Sequence, residues 1–290
     1  MTLIPGPEPR KKVAVFATCI NEVMFPNTVN NTAVLLERLG CDVEFPRAQT
    51  CCGQMFTNTG YFDRALPSVR AFLEAFEDYD YIVGPSGSCV GSVREQHEML
   101  ALDAGEDELA RRVHEVQKRV YDISEFIVDV LGTVDVGAYF PHTVTYHASC
   151  HSLRVAEVGD RPIRLLQAVR GLEYIPLEDM RQCCGFGGTF SVKNSDVSIA
   201  LGRDKARHVI ETGAEYVASL DNACLMNFGG ILHREKKPVR PIHMVNLLVQ
   251  TAPVGAGAVG ASVPGAAGAA GAVAATGAVT GAATTTGRIA

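Results

Sequence analysis

The chain repeats itself, and that repeat constrains its fold more than any other property of the sequence. Val13-Ala14-Val15-Phe16-Ala17-Thr18-Cys19 and Val144-Thr145-Tyr146-His147-Ala148-Ser149-Cys150 are both short apolar runs ending in cysteine. Cys51-Cys52-Gly53 returns as Cys183-Cys184-Gly185, and Pro85-Ser86-Gly87-Ser88-Cys89 has its counterpart in Leu220-Asp221-Asn222-Ala223-Cys224. The offsets between the copies are 131, 132 and 135 residues. A drift this small is what loop insertions leave between two copies of one ancestral domain. We therefore expect an N-terminal extension over 1–12, a first cysteine-rich domain over 13–135 and a second over 136–250.

Each copy alternates strand and helix patterns. Val13–Ala17, Asp42–Phe45 and Tyr81–Gly84 are short and rich in β-branched or aromatic residues, which predicts strands. Between them, Asn30–Leu39 and Tyr61–Phe76 carry apolar residues at helical spacing. The second copy offers Val144–His147, Leu172–Ile175 and Tyr216–Ser219 as strands, with Pro162–Val169 and Asp196–Thr212 as helices. The alternation predicts an α/β protein: two homologous repeats, each a small parallel sheet with flanking helices, related by a pseudo-twofold axis. From Thr251 to Ala290 the sequence collapses into Ala, Gly, Val and Thr, with nine glycines and one charge at Arg288. Such a composition cannot bury a core, so a disordered C-terminal tail is expected there.

The predicted strands carry the cysteines to one place. In each copy the first and last cysteines follow a strand directly, and the adjacent pair follows another strand by a short loop. All four then gather at the carboxyl edge of a parallel sheet, where such sheets bind ligands. The expected metal ligands are Cys19, Cys51, Cys52 and Cys89 in the first set and Cys150, Cys183, Cys184 and Cys224 in the second. Two adjacent side chains normally diverge, and aiming both at one centre needs an unusual turn. Gly53 and Gly185, directly after the pairs, can adopt positive φ cheaply and let the main chain approach a cofactor; Gly187 and Gly188 extend that freedom. His147 and His151 bracket Cys150 and are expected to flank the cofactor rather than bind its metal. Asp221 reads equally as an oxygen ligand or a helix N-cap. Cys41 opens a strand, has no counterpart in the second copy and reads as a buried small hydrophobe.

Charge and composition remove other classes. A formal net charge of -6 argues against nucleic-acid binding, which needs a surplus of Lys and Arg. The basic runs at Arg10-Lys11-Lys12 and Arg234–Lys237 read as solvated surface. Met1–Pro9 holds three prolines and no apolar segment of the secretory kind, so a cytoplasmic protein is expected. In a reducing compartment, nine cysteines point to metal or redox chemistry rather than structural disulfides. No uninterrupted run of about 18 strongly apolar residues occurs, so direct membrane insertion is not expected. Structural zinc competes with an iron–sulfur cluster for four thiolates, although zinc sites usually contain Cys-x-x-Cys knuckles and this sequence has none. A thiol–disulfide enzyme is the third reading, but adjacent cysteines form only a strained disulfide and leave the other four without a purpose.

With these motifs in view, the sequence resembles proteins with duplicated cysteine-rich CCG domains. That family includes the CCG-domain subunit of heterodisulfide reductase and the iron–sulfur subunits of glycolate oxidase and anaerobic glycerol-3-phosphate dehydrogenase. Leu36–Phe45, Pro85–Cys89, Cys183–Lys193 and Cys224–Asn227 look most like its lactate-utilization branch, and the likeness runs from about Val13 to Val249. The resemblance implies a complex that oxidises L-lactate, or a related 2-hydroxy acid, to the 2-oxo acid. This chain would carry one or two iron–sulfur clusters, of the [4Fe–4S] type, beside a ferredoxin-type iron–sulfur subunit and a third subunit. It would not be catalytic alone, since no flavin or nicotinamide motif is present. One departure matters. The heterodisulfide reductase protein ends its motif in Cys-x-x-Cys, whereas this sequence has Ser86 and Asp221 at the first of those positions, which makes direct disulfide reduction a weaker expectation.

Overall fold

The computed structural model describes residues 10–252, so the tail expected from Thr251 onward lies almost wholly outside the described residues. Two four-stranded parallel sheets form the frame. The first contains β1 (Lys12–Val15), β2 (Asp42–Glu44), β3 (Tyr81–Gly84) and β4 (Val120–Asp122), in the order β2-β1-β3-β4. The second contains β5 (Thr143–Tyr146), β6 (Glu173–Tyr174), β7 (Tyr216–Ser219) and β8 (Arg240–His243), in the order β6-β5-β7-β8. Even the register repeats: Val13 lies opposite Val43 and Tyr81, and Val144 opposite Tyr174 and Tyr216.

Alternation along the strands explains the layers. Side chains of a strand point to opposite faces in turn. Val13 and Val15 of β1 therefore enter one apolar core while Ala14 and Phe16 enter another; in β3, Val83 and Ile82 divide in the same way. The core that takes Val13, Val15 and Val83 also takes Val144, Tyr146, Leu165, Met244 and Leu247 from the second repeat. The opposite faces are covered by Phe72 and Phe76 in the first repeat, where Ala156 and Val158 of the second also reach the core, and by Val209, Phe228 and Leu232 in the second. Residues of both repeats thus share one compact unit.

The helices at the junction exchange contacts reciprocally. The Cys19–Met24 helix packs on Asn222–Arg234, and the equivalent Cys150–Arg154 helix packs on Gly87–Gly91. Pro26–Arg38 meets Met244–Leu248, while Arg161–Gln167 meets Ile123–Glu125. Such paired contacts are the signature of a twofold relation between like units. The junction's buried polar groups find partners across it, as they must away from water. Asn222 Nδ2 donates to Asn21 Oδ1 (2.9 Å) and Thr28 Oγ1 (3.0 Å), and Gly87 N donates to Leu220 O (3.3 Å). Gly87 is required here, because a Cβ on it would stand 1.7 Å from Ser152 Oγ.

Tyr81–Gly84 and Tyr216–Ser219 are strands as the pattern predicts, whereas the expected Val13–Ala17 strand stops at Val15. Its continuation leaves the ladder because Ala17 N donates to Gln49 Oε1 (2.8 Å) and Thr18 turns to φ 64°. The helix expected over Asn30–Leu39 begins earlier, at Pro26, where proline's fixed φ suits the first helical turn. β4 and β8 are strands that the pattern does not announce. β8 contains Pro241 and is tolerated because it lies at a sheet edge. No helix among the described residues is long and apolar enough to cross a membrane.

Candidate metal centre

In the order β2-β1-β3-β4, chain direction across the sheet reverses between β1 and β3, and a cleft opens beyond the carboxyl ends of these strands. Cys19 begins the helix that follows β1, and Cys89 sits in the helix that follows β3. Cys51 and Cys52 arrive on the loop after edge strand β2. The second repeat does the same with Cys150 after β5, Cys224 after β7 and Cys183-Cys184 after β6. All eight of these cysteines line one cavity of about 540 Å³ between the repeats. None is in a disulfide.

Within each set the thiols touch in the same sequence. Cys19 Sγ lies 3.5 Å from Cys51 Sγ, Cys51 is hydrogen-bonded to Cys52, and Cys52 to Cys89. Likewise Cys150 meets Cys183, Cys183 meets Cys184, and Cys184 Sγ lies 2.9 Å from Cys224 Sγ. These contacts set the thiols of each group apart in acidity. Hydrogen bonds from Cys19 and Cys52 hold the Cys51 thiol far below the ordinary thiol range, and Cys150 and Cys184 do the same for Cys183. Their partners Cys19, Cys52, Cys150 and Cys184 are pushed up, chiefly by those same hydrogen bonds and by burial. Each set is therefore a compact group of soft donors, the environment that binds thiophilic metal.

The backbone of the pairs is built as the sequence suggests. Gly53 and Gly185 stand at φ 82° and 85°, and Gly185 N donates to Cys183 Sγ at 3.3 Å. The carbonyl after each pair is pinned: Cys52 O bonds His97 Nε2 (2.8 Å), and Cys184 O accepts from Asn227 Nδ2 (2.8 Å). His151 Nδ1 lies 3.5 Å from Cys150 Sγ at the cavity wall. His147 is buried, neither of its ring nitrogens has a protein partner, and burial drives its pKa down to about 3. A ring nitrogen of His147 and the sulfurs of Cys184 and Cys224 all lie within 4.8 Å of one another. Asp221 is an N-cap: its carboxylate accepts from Ala223 N (3.3 Å) and, across the junction, from Ser88 N (3.1 Å). Cys41 is 1% exposed in the shared core, away from the cavity.

Two side chains near the thiols were not singled out from sequence. His97 is fully buried against Phe72 and lies in the middle of a helical stretch with no motif around it. Lys205 is fully buried beside Cys183, Cys184 and Cys224, and its Nζ donates to Asp179 O at 2.7 Å. Comparing the copies position by position would have marked Lys205, a cation on a helix face that is apolar in the first repeat.

The family described as a cysteine-rich domain, CCG, matches this chain twice, over residues 13–94 and 144–229. The chain is 44% identical over 237 residues to lactate utilization protein A of Oceanobacillus iheyensis, covering 82% of this chain and 96% of the relative. It is 43% identical to the protein of that name in Geobacillus thermodenitrificans and 40% identical to that of Bacillus pumilus, in both cases over 82% of this chain and 98% of the relative. In structure it is similar to a hypothetical protein from Helicobacter pylori (TM-score 0.56, 10% identity), covering 83% of this chain and 49% of that one, a likeness of fold alone. Two CCG matches on two cysteine-bearing parallel sheets, with relatives aligned almost end to end, make the chain a member of the lactate utilization protein A family.

Proposed function

We propose that this chain is an iron–sulfur electron carrier serving the oxidation of L-lactate, or a related 2-hydroxy acid, to the 2-oxo acid. The observation that carries the reading is the gathering of two equivalent four-thiol sets around one cavity. Cys19, Cys51, Cys52 and Cys89 would hold one cluster, and Cys150, Cys183, Cys184 and Cys224 the other. The donor chemistry fits: all-thiolate coordination, partial burial and backbone N–H groups directed at sulfur are what iron–sulfur clusters use. When bound, each cluster supplies one-electron redox chemistry. Gly53 and Gly185 turn the paired thiols inward, His97 and Asn227 fix the carbonyls behind them, and His147 and His151 border the second set. Asp221 has both oxygens engaged by backbone N–H groups, which supports four thiolates per cluster without a carboxylate ligand.

The sequence carries no flavin or nicotinamide motif to take hydride from a hydroxy acid, so substrate oxidation falls to a partner. A ferredoxin-type iron–sulfur subunit and a third subunit in the cytoplasm complete the proposed complex. The relatives' lactate-utilization names support this assignment of pathway. The deciding measurement is iron, acid-labile sulfide and zinc in protein purified without oxygen. Two filled [4Fe–4S] sites give about eight irons and eight sulfides per chain. Zinc without sulfide would overturn the reading in favour of a structural scaffold. Turnover of a disulfide substrate by the isolated chain would favour the heterodisulfide-reductase type of activity instead.

A further inference from the structure

The two thiol sets are alike in sulfur and unlike in what stands behind the sulfur. Gly53 faces Ser68 of the Phe62–Phe76 helix, and Gly185 faces Leu201 of the Ser195–Glu211 helix, which aligns Ser68 with Leu201 and hence Phe72 with Lys205. The strand register aligns Phe16 with His147 by the same reasoning. In the first repeat Phe16 and Phe72 stack edge to face at 5.2 Å, closing that set with hydrocarbon. In the second repeat the same two places hold His147 and Lys205, near enough for the lysine's charge to act on the imidazole and on Cys183, Cys184 and Cys224.

Lys205 is the telling residue. It is fully buried, its one hydrogen bond goes to the neutral carbonyl of Asp179, and among the described residues it makes no ion pair with a carboxylate. A buried ammonium without a counter-charge is strongly unfavourable, and proteins rarely keep one. The negative groups near it are the largely exposed Asp179 carboxylate, whose charge water screens, and the sulfurs of the second set, of which Cys184 acts on it most strongly. No cation is found in the corresponding place behind the first set, where the neighbours are Phe16, Phe72 and His97.

We propose that Lys205 is a built-in counter-ion for the second thiolate set, so that the two cluster sites differ in charge balance and the second is the more easily reduced. The inference rests on the iron–sulfur reading above. With clusters held at both sites, an electron passing from the first to the second would oxidise the one and reduce the other, and the charge of Lys205 would favour that direction. A unit charge near the added electron, in the effective dielectric of a protein interior, favours reduction by about tenfold or more. For a one-electron couple, tenfold is about 59 mV.

The test compares the parent with Lys205→Gln, which keeps a donor for Asp179 O and loses the charge, and Lys205→Arg, which keeps the charge. Iron is counted in each anaerobic preparation, and the samples are titrated with dithionite while reduction is followed by electron paramagnetic resonance. The expected result is that the higher of two potentials falls by about 59 mV or more in the Gln variant, stays near the parent value in the Arg variant, and leaves the lower potential unmoved. Equal potentials in the Gln variant and the parent, or equal shifts in Gln and Arg, would overturn the proposal. If the Gln variant loses half its iron, retention in Arg supports the counter-ion role and loss in both overturns it. A parent protein without iron or sulfide would overturn the underlying cluster reading instead.

Discussion

Replacing Gly185 and Gly53 by alanine, one at a time, tests the local geometry that aims the cysteine pairs. Both glycines are in the left-handed region, where a side chain costs roughly 1–2 kcal/mol. Their surroundings then separate them. A Cβ on Gly53 would meet Ser68 Cβ at 3.2 Å, which a backbone shift of a few tenths of an ångström relieves. A Cβ on Gly185 would stand 2.4 Å from Ser198 O and 3.1 Å from Leu201 Cβ. Ser198 O belongs to a helix backbone and cannot rotate away, so either that helix or the Cys183–Gly185 turn must shift. Such overpacking costs typically about 1–3 kcal/mol more. Gly53→Ala should therefore lower stability by about 1–2 kcal/mol and Gly185→Ala by about 2–5 kcal/mol, within the margin of an ordinary domain. Urea unfolding followed by circular dichroism measures both, and bound metal is counted in the same samples. The Gly185 variant should lose metal from the second set first, because relief of the clash displaces Cys184. Losses equal within about 0.5 kcal/mol, the usual scale of a neutral change, would refute the reasoning.

Cys183→Ser should remove about half of the bound metal, and Cys41→Ala should remove none while costing about 1 kcal/mol, as for a small core residue; metal analysis beside urea unfolding separates the two effects. Asp221→Ala should cost about 1–2 kcal/mol through the lost cap and the orphaned Ser88 N–H, yet leave metal content unchanged; a fall in metal there would make Asp221 a ligand. Burial raises the Asp122 carboxyl from its ordinary 3.8 to about 7. The folded protein then holds a proton that the unfolded chain has released, so this stability is full below about pH 4, falls as pH climbs to about 7, and is flat beyond. Asp122→Asn should thus gain on the parent by up to ~4 kcal/mol between about pH 4 and about pH 7.5, read from melting temperatures at each pH.

The gathering of the eight cysteines was legible because duplication turned single cysteines into a pattern. Cys41 fell outside that pattern and lies in the core, as its isolation suggested. The central strands were legible too, since residues such as Val13–Val15 and Ile82-Val83 are buried on both faces and must be continuously apolar. β8 was hidden by Pro241, which reads as a strand breaker until edge position excuses it. Asp221 stayed ambiguous because capping and ligation use the same carboxylate, and only the positions of Ala223 N and Ser88 N decide between them. That both sets open onto one cavity was beyond the sequence, because it depends on how the repeats face one another and not on either repeat alone.

That facing follows from the same reciprocity that builds the junction. The helix starting at Cys19 packs on the helix bearing Cys224, and the helix starting at Cys150 packs on the helix bearing Cys89. Helices of five or six residues are too short to hold themselves in water, so the two that begin at Cys19 and Cys150 owe their order to the opposite repeat. Ser88 N binding to Asp221 and Asn21 binding to Asn222 join the loops directly. A single repeat would leave these donors unpaired and its cysteines on frayed turns. The duplication therefore does more than double the number of thiols, since each copy supplies the wall against which the other copy's cysteines are held.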